Sequence, residues 1–467
     1  MSIRSCLRPG HREGQAIAAV IAACAVTLAV SCSSSAPEPH PPAPTTVSFP
    51  HSPVGTQASW LVGAVKHPPI PASVLTRHFD RGFLTQVPAA KLSSTLSGVS
   101  ELQVDSISDS TKTTLSFEVT ANGSTKLTVD MGVDSHGLIN DLLLKPAGPT
   151  ATVPSAPASW SGVDHDVQSV APDARLLVAS VDGGRCQPIH AIGAGTPAPL
   201  GSAFKLYVLD ALARAIAAGT VSWNQQLTVT SAVKSLPSGT LQNDPDGTRL
   251  SVRQVATDMI SVSDNTAANM LIALVGRGAV EAAARDTGMA RPALDVPFLT
   301  TSELFVLKLH DWPKLADRYL AQDAAGRQAL LSNTVDHVAP GTLSSSGWTS
   351  PRDIDSLEWF ASPTDICHVF ANLAALARQP KLAPLAQVLE KNPGDLNLPA
   401  GQWQPDMFKG GSEPGVLTLN YLATTRSGHT YVVSELASNP ATAFAQTPAS
   451  LTLISAARGA FALAARN

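Results

Sequence analysis

Pro199-Leu200-Gly201-Ser202-Ala203-Phe204-Lys205 is the stretch that decides what this chain is. Ahead of it, Arg175 to Val181 reads as a strand, Asp182-Gly183-Gly184 as a turn and Gln187 to Ile192 as the returning strand. Behind it, apolar residues recur at helical spacing from Ala203 to Ala217, and Gly219 closes the segment. The pattern predicts a serine in the first turn of a helix and a lysine one turn on, where positions i and i+3 share a face. A serine hydroxyl is a weak nucleophile until a base takes its proton. A lysine serves as that base where burial and the positive helix end lower its pKa. The amide N–H of Ser202 also lies where a developing oxyanion could be met.

The pair alone decides little, because Ser231-Ala232-Val233-Lys234 has the same spacing and reads as a solvated helix face. Ser202 is set apart by two further boxes that come after it in a fixed order. Ser263-Asp264-Asn265 comes next, continued by Thr266-Ala267-Ala268-Asn269, and then Lys409-Gly410-Gly411-Ser412. This trio resembles the Ser-x-x-Lys, Ser-Asp-Asn and Lys-Thr-Gly boxes of class A β-lactamases and penicillin-binding proteins, over roughly Arg175 to Asn467. The resemblance implies a β-lactamase-like, D,D-peptidase/transpeptidase-like domain of mixed α and β class. The strand patterns Gly415 to Thr424 and His429 to Leu436 then complete an antiparallel sheet made from both ends of the domain, with helices inserted between and a C-terminal helix over Ser450 to Ala465.

Carried over box by box, the resemblance implies that Ser202 attacks a carbonyl while Lys205 helps remove its proton, leaving an acyl-enzyme. Ser263 would relay a proton to the leaving group, Asn265 would orient a substrate amide and the lysine, and Asp264 would bond backbone around its own turn. Lys409 would bring positive potential to a substrate carboxylate. Gly410 and Gly411 would line the substrate, and the N–H of Ser412, with that of Ser202, would complete an oxyanion hole.

Three departures from the class A pattern bear on substrate and turnover. Gly410 stands where that family has a threonine, so the hydroxyl that would bond a β-lactam carboxylate is missing. Ser362-Pro363-Thr364-Asp365, within Ala361 to Leu376, resembles the helix after the family's omega loop, yet the stretch from Arg291 to Phe360 is far longer than that loop. The glutamate that activates the deacylating water has no evident counterpart. Glu303 and Glu358 are candidates by position, and each also reads as an ordinary solvated helix residue. Slow deacylation is the expectation.

The remaining sequence sets the context. Arg4, Arg8 and Arg12 precede an apolar run from Ala16 to Val30, which reads as a signal peptide over residues 1–31. Leu28-Ala29-Val30-Ser31-Cys32 resembles a bacterial lipobox, with Cys32 as the lipidation site, so the expected location is the outer face of the cell membrane. A Ser/Pro/Thr-rich tether runs to about residue 54. A small α+β domain is expected over residues 55–146, with helices around Ala72 to Phe83 and Ala89 to Leu96. Strands are expected at Leu102 to Ile107, Thr114 to Thr120, Lys126 to Val133 and Ile139 to Lys145, with turns at Asn122-Gly123 and His136-Gly137. A linker over 147–160 leads to the larger domain, 161–467. The two-domain order, the lipobox and the run Lys409 to Gly415 resemble the Cpe/LpqF-type lipoproteins, in which the first domain is steroid-isomerase-like and weak esterase chemistry is expected.

Composition narrows the function further. The net charge of -4 with dispersed basic residues gives no stripe for nucleic acid. There is no Gly-x-Ser-x-Gly elbow, no His-Glu-x-x-His motif and no P-loop, and the 12 histidines are scattered. No metal site or cofactor is expected. Of the 5 cysteines, Cys186 and Cys367 remain in the folded chain, either as a disulfide or as two buried thiols. The expected substrate is a small ester, a β-lactam or a peptidoglycan-related molecule. The alternatives are a D,D-peptidase-like penicillin-binding protein and an envelope lipoprotein that has lost catalysis and only binds.

Overall fold

The structure is a computed structural model that describes residues 47–99, 101–134, 136–146, 153–236, 238–339, 342–345 and 347–466. The signal segment, Cys32 and most of the expected tether lie outside the described residues. The described chain forms two units, 47–146 and 153–466.

In the smaller unit, α1 (Pro53–Ala64), α2 (Ala72–His78), α3 (Arg81–Gln86) and α4 (Ala89–Ser97) come first. An antiparallel meander comes after them, made of β1 (Leu102–Ser110), β2 (Thr114–Ala121), β3 (Thr125–Val133) and β4 (Ile139–Pro146) in sequential order. Asn122 and Gly123 turn β2 into β3 with φ of 50° and 77°, the left-handed backbone that such residues tolerate. Helix α1 was not expected, and it begins inside the stretch read as tether. Ser52 caps it by accepting the Gly55 N–H at 3.2 Å, and Pro53 takes the first position, where its missing N–H costs nothing. Val54, Ala58 and Leu61 bury its inner face, and Phe49 packs edge-on against Phe117 at 4.9 Å, so Ser/Pro/Thr composition had masked a helical apolar period. The expected single helix over Ala72 to Phe83 is two, because Phe79 bridges to Ile139 and Asp80 accepts the Phe83 N–H at 2.8 Å, capping α3.

The larger unit contains α5 (Trp160–Val170), β5 (Asp173–Asp182), β6 (Arg185–Ile192), β7 (Ala198–Pro199), α6 (Lys205–Ala217), β8 (Gln226–Thr228), β9 (Arg249–Ser251), α7 (Val252–Ser261), α8 (Asn265–Val275) and α9 (Arg277–Asp286). It continues through α10 (Thr301–Leu309), α11 (Lys314–Leu320), α12 (Ala324–Asn333), β10 (Phe360–Ala361), α13 (Pro363–Leu376) and α14 (Pro384–Leu389). It closes with β11 (Met407–Glu413), β12 (Val416–Thr424), β13 (Thr430–Ser438) and α15 (Gln446–Ala464). Five strands form one antiparallel sheet in the order β11-β12-β13-β5-β6, so the two ends of the unit pair as expected. Strands β12 and β13 are buried along almost their whole length, because the sheet is covered on both faces. On one face, α5 and α15 bury Leu453, Ala457 and Phe461 against Tyr421 and Val433. On the other, α6, α8 and α13 form the larger core around Phe204, Leu209, Leu271 and Phe370.

Residues 153–159, read as linker, pack within this unit: Val153 lies against the α15 core, and Ser455 Oγ donates to the Ser155 carbonyl at 3.1 Å. Of the two states open to the cysteines, the chain adopts the disulfide, from Cys186 on β6 to Cys367 on α13, with Cα atoms 6.3 Å apart.

Three local features carry the site. The strand β11, an edge of the sheet, runs against the turn Gly201–Phe204. The short pair β7/β10 holds the approach to that turn, and the Leu200 N–H donates to the Trp359 carbonyl at 2.9 Å. The start of α8 supplies the third wall.

Candidate active site

Ser202 lies in a 3-10 turn, Gly201–Phe204, that leads directly into α6 at Lys205. The turn is placed by close backbone approach at two glycines. A Cβ on Gly411 would lie 2.1 Å from the Leu200 carbonyl oxygen and 2.6 Å from the Ser202 nitrogen. A Cβ on Gly201, whose φ is 49°, would lie 2.8 Å from the Ser412 nitrogen. Strand β11 and the Ser202 turn therefore touch through bare backbone, bringing the Ser202 and Ser412 amides side by side. Thr418 of β12 adds a bond, its Oγ1 donating to the Leu200 carbonyl at 3.0 Å.

Lys205 is fully buried and converges on Ser202, Ser263 and Asn265. Its Nζ donates to the Ser263 carbonyl at 2.6 Å and to Asn265 Oδ1 at 2.7 Å, and lies 3.2 Å from Ser202 Oγ. The two short partners only accept, so they take two amine hydrogens. A neutral amine has its lone pair left for the Ser202 hydroxyl. Burial pushes the Lys205 pKa well down, and the nearby Lys409 charge adds to this, while Asp264 opposes it. The geometry and the charge balance both favour a base.

Ser263 has a φ of 57°, an uncommon backbone for a residue with a Cβ. That conformation lets one residue present both its carbonyl and its hydroxyl to Lys205, the latter at 3.1 Å. Asp264 explains how the turn is held. Its Oδ1 accepts the Ala267 N–H at 2.8 Å as the cap of α8, and its Oδ2 accepts the N–H groups of Thr240 and Leu241 at 2.6 and 2.9 Å. It thus fixes the 238–241 segment as well as its own turn. Asn265 Nδ2 donates to the Leu236 carbonyl at 3.0 Å, which fixes the amide with Oδ1 toward Lys205.

Lys409 reaches the same cluster from β11, donating to Ser263 Oγ at 3.0 Å and to the Gly410 carbonyl at 2.6 Å. Burial lowers its pKa to about 7. Asn420 Nδ2 donates to the Lys409 carbonyl at 3.1 Å and is steadied by Ser434 Oγ at 2.7 Å. A Cβ on Gly410 would lie 2.8 Å from the tip of the Phe408 ring and 3.0 Å from the Thr418 carbonyl oxygen, on the sheet face where Phe408 packs against Tyr421. The structure thus brings together Ser202, Lys205, Ser263, Asn265 and Lys409, with Gly410, Gly411 and Ser412 as the adjoining strand. Ser231 and Lys234 are elsewhere, tied to Asp246 by the Ser231 N–H at 2.9 Å and by Lys234 Nζ at 2.8 Å.

Both carboxylate candidates are engaged in structure, and neither is a solvated helix residue. Glu303 completes a capping box with Thr300 and pairs with Arg277 at 2.6 Å. Glu358 Oε2 accepts the N–H groups of Gly201 and Trp359 at 3.2 and 3.1 Å, and its Oε1 lies 3.4 Å from Lys308 Nζ. Among the described residues no carboxylate is hydrogen-bonded to Ser202. The cluster is approached instead by Thr301, whose N–H and hydroxyl both reach Asn269 Oδ1 at 2.9 and 2.8 Å and whose hydroxyl also reaches the Asn265 carbonyl at 3.1 Å. Sequence reading missed Thr301 and left Asn269 without a role. The capping pattern Thr300-Thr301-Ser302-Glu303 was the available signal. Among the described residues no group of three or more His, Cys, Asp or Glu is placed to hold a metal ion.

A five-stranded antiparallel sheet with helices on both faces, and a Ser-x-x-Lys turn facing a Ser-Asp-Asn turn and an edge strand, define the β-lactamase-like fold. Residues 169–392 match the family model described as Beta-lactamase enzyme family, and residues 49–139 match that described as ORF 12 gene product N-terminal. No curated protein matches the sequence. Similar solved structures include a β-lactamase from Sphaerobacter thermophilus, with 21% identity and a TM-score of 0.46, covering 66% of this chain and 99% of that one. A PBP-A variant solved as an acyl-enzyme complex with penicillin G has 18% identity and a TM-score of 0.45, covering 68% and 100%. A β-lactamase from Chitinophaga pinensis has 17% identity and a TM-score of 0.44, covering 66% and 98%.

Proposed function

We propose that the protein is a serine hydrolase that transfers the acyl group of a small ester or β-lactam to Ser202 and releases it slowly. The observation that carries this reading is the arrangement of Lys205, whose two hydrogens are taken by the Ser263 carbonyl and Asn265 while its lone pair is left for Ser202 Oγ. Ser202 Oγ attacks the carbonyl carbon as its proton passes to Lys205 Nζ, and the carbonyl oxygen takes up negative charge beside the Ser202 and Ser412 amides. When the carbonyl reforms, the bond to the leaving group breaks, and the leaving oxygen or nitrogen takes a proton through Ser263 Oγ, which is bonded to both lysines. Water then hydrolyses the acyl-enzyme. Slow release is supported by the engagement of Glu303 and Glu358 in caps and backbone bonds. An ester is favoured over a carboxylate-bearing β-lactam by Gly410, which offers no hydroxyl to a carboxylate.

A fluorescent fluorophosphonate and a fluorescent β-lactam test the reading. The folded protein should take at least one label, Ser202→Ala should take neither, and intact-mass spectra over time should show a persistent adduct with the β-lactam. A folded protein that takes neither label would sink it.

The same reading puts the protein outside the cytoplasm, anchored to the membrane through Cys32. It is supported by the basic and apolar segment before Cys32 and by the Cys186–Cys367 disulfide, which suits an oxidising compartment. The Cys32→Ser variant should leave the membrane fraction. The order of helices and a four-stranded meander in the smaller unit, with the Lys409 to Gly415 run, supports kinship with the Cpe/LpqF-type lipoproteins and a steroid-isomerase-like first unit.

A further inference from the structure

Beneath the Ser202 turn lies a group of charges that the acyl-transfer chemistry does not use. Lys308, on α10, is fully buried, and its Nζ lies 2.5 Å from Glu413 Oε1 and 3.4 Å from Glu358 Oε1. All three side chains are shielded from water, with exposures of 0% for Lys308 and Glu358 and 7% for Glu413. The Trp348 ring stands 5.5 Å from the ammonium, and Arg352 Nη1 donates to the Lys308 carbonyl at 2.6 Å. Burying one cation with two carboxylates is expensive unless every charge is held. Such a trio has no evident value for stability that an apolar one would not give.

Their placement supplies a reason. Glu358 holds the backbone N–H of Gly201, the residue before Ser202, and that of Trp359, its own neighbour in the chain. Glu413 is the residue after Ser412 on β11, and the Gln446 amide donates to its carbonyl at 3.2 Å. Each carboxylate is therefore tied one residue away from one of the two amides that meet across the Gly201 and Gly411 contact. One ammonium grips both. We infer that Lys308, Glu358 and Glu413 form a buried ionic clamp that sets the spacing of the Ser202 and Ser412 amides, and so act as positioning residues for the oxyanion hole.

The clamp explains the bare backbone contact above it. Gly411 and Gly201 allow strand and turn to approach, but absence of side chains does not by itself hold them together. An oxyanion hole stabilises charge only while its donors stay aimed at one point, and an error of a fraction of an ångström weakens both bonds. A charge-assisted bond from β11 to α10 and another from α10 to the residue behind the Ser202 turn resist that opening. Burial and the nearby Glu358 raise the pKa of Glu413 well above the usual carboxylate range, against the pull of Lys308.

The catalytic meaning of the clamp rests on the acyl-transfer reading, so the test has two readouts. The full chain and a Glu413→Gln variant are titrated with the fluorophosphonate to give the maximal labelling rate and the half-saturating concentration. Amide hydrogen exchange is followed at residues 201–203 and 411–413. The variant should lose at least fivefold in maximal rate with half-saturation unchanged, and its exchange at both segments should rise at least fivefold. A smaller loss of rate, or unchanged exchange, overturns the clamp. If Glu413→Gln does not fold, the combined variant Lys308→Met, Glu358→Gln, Glu413→Gln, which leaves no unpaired charge, is judged by the same two thresholds. A wild-type chain that takes no label removes the acyl-transfer reading, and the exchange measurement then decides the clamp alone.

Discussion

Lys205 Nζ and Lys409 Nζ both lie within hydrogen-bond reach of Ser263 Oγ, at 3.1 and 3.0 Å, so one hydroxyl bridges two buried amines. Desolvation lowers the Lys205 pKa first, and the Lys409 charge lowers it further. Removing that charge raises the Lys205 pKa, and a general base with a raised pKa is protonated to higher pH. The acid limb of the labelling rate should therefore move to higher pH in Lys409→Met. A pH series of fluorophosphonate labelling checks this, and a limb that stays or moves down would refute the coupling.

Lys205→Met separates catalysis from stability. The amine is the group placed to take the Ser202 proton, and its loss should slow acylation by about a hundredfold to ten-thousandfold, the usual range for a general base. The fold should survive, because the change removes a buried amine whose desolvation opposed folding. Stopped-time labelling together with a thermal melt reads both. Lost labelling with a collapsed melting curve would make the lysine a structural residue.

Gly411→Ala tests the backbone contact directly. Its Cβ would stand 2.1 Å from the Leu200 carbonyl oxygen and 2.6 Å from the Ser202 nitrogen, so strand or turn must retreat. Overpacking of this kind costs about 1–3 kcal/mol, and a displaced oxyanion donor costs about a hundredfold to a thousandfold in rate. Melting and labelling should fall together. A variant with wild-type labelling would show that the two amides do not act as a pair.

How much of the fold and site is legible in the sequence depends on how far each signal reaches along the chain. The boxes at Ser202, Ser263 and Lys409 are local patterns whose convergence is imposed by the sheet, and residue order alone is enough to place them. The two-ended sheet was legible because β5, β12 and β13 are runs of apolar and β-branched residues buried on both faces. Strand β11 was not, since Gly410 and Gly411 give no strand propensity and are there for close approach. Glu358 and Lys308 were opaque for another reason. A charged residue reads as solvated unless its partners are known, and those partners lie far along the chain, at Gly201 and Glu413. Helix α1 was hidden by its composition.

Glu435 is a misfit in the core of the larger unit. It is fully buried on β13, both carboxyl oxygens lack a hydrogen-bond partner among the described residues, and burial, with Asp166 nearby, raises its pKa well above the ordinary value. The folded chain therefore holds it protonated where the unfolded chain ionises. Its contribution to stability is fully present below the unfolded pKa and is lost as pH rises toward the folded one. Glu435→Met, which has nearly the same shape, should stabilise by about 1–3 kcal/mol, the cost of an unsatisfied buried polar group. The gain should be larger at pH 8 than at pH 4. Equal melting shifts at the two pH values would show that the carboxyl is not held neutral.

The Cys186–Cys367 disulfide joins β6, the far edge of the sheet, to α13, and its sequence separation of 181 encloses the Ser202 and Ser263 boxes. Cross-links over long loops restrict the unfolded chain most, and loss of a native disulfide typically costs about 2–5 kcal/mol. The link is away from the Lys205 cluster, in which every bond is made by Ser202, Ser263, Asn265 or Lys409. Reduction should therefore lower the melting temperature while the labelling rate, measured well below that temperature, stays within about twofold of the oxidised protein, as expected for independent sites. A large loss of labelling in a chain that remains folded would mean that the sheet edge and α13 set the geometry around Ser202, and that the disulfide belongs to the site as well as to the fold.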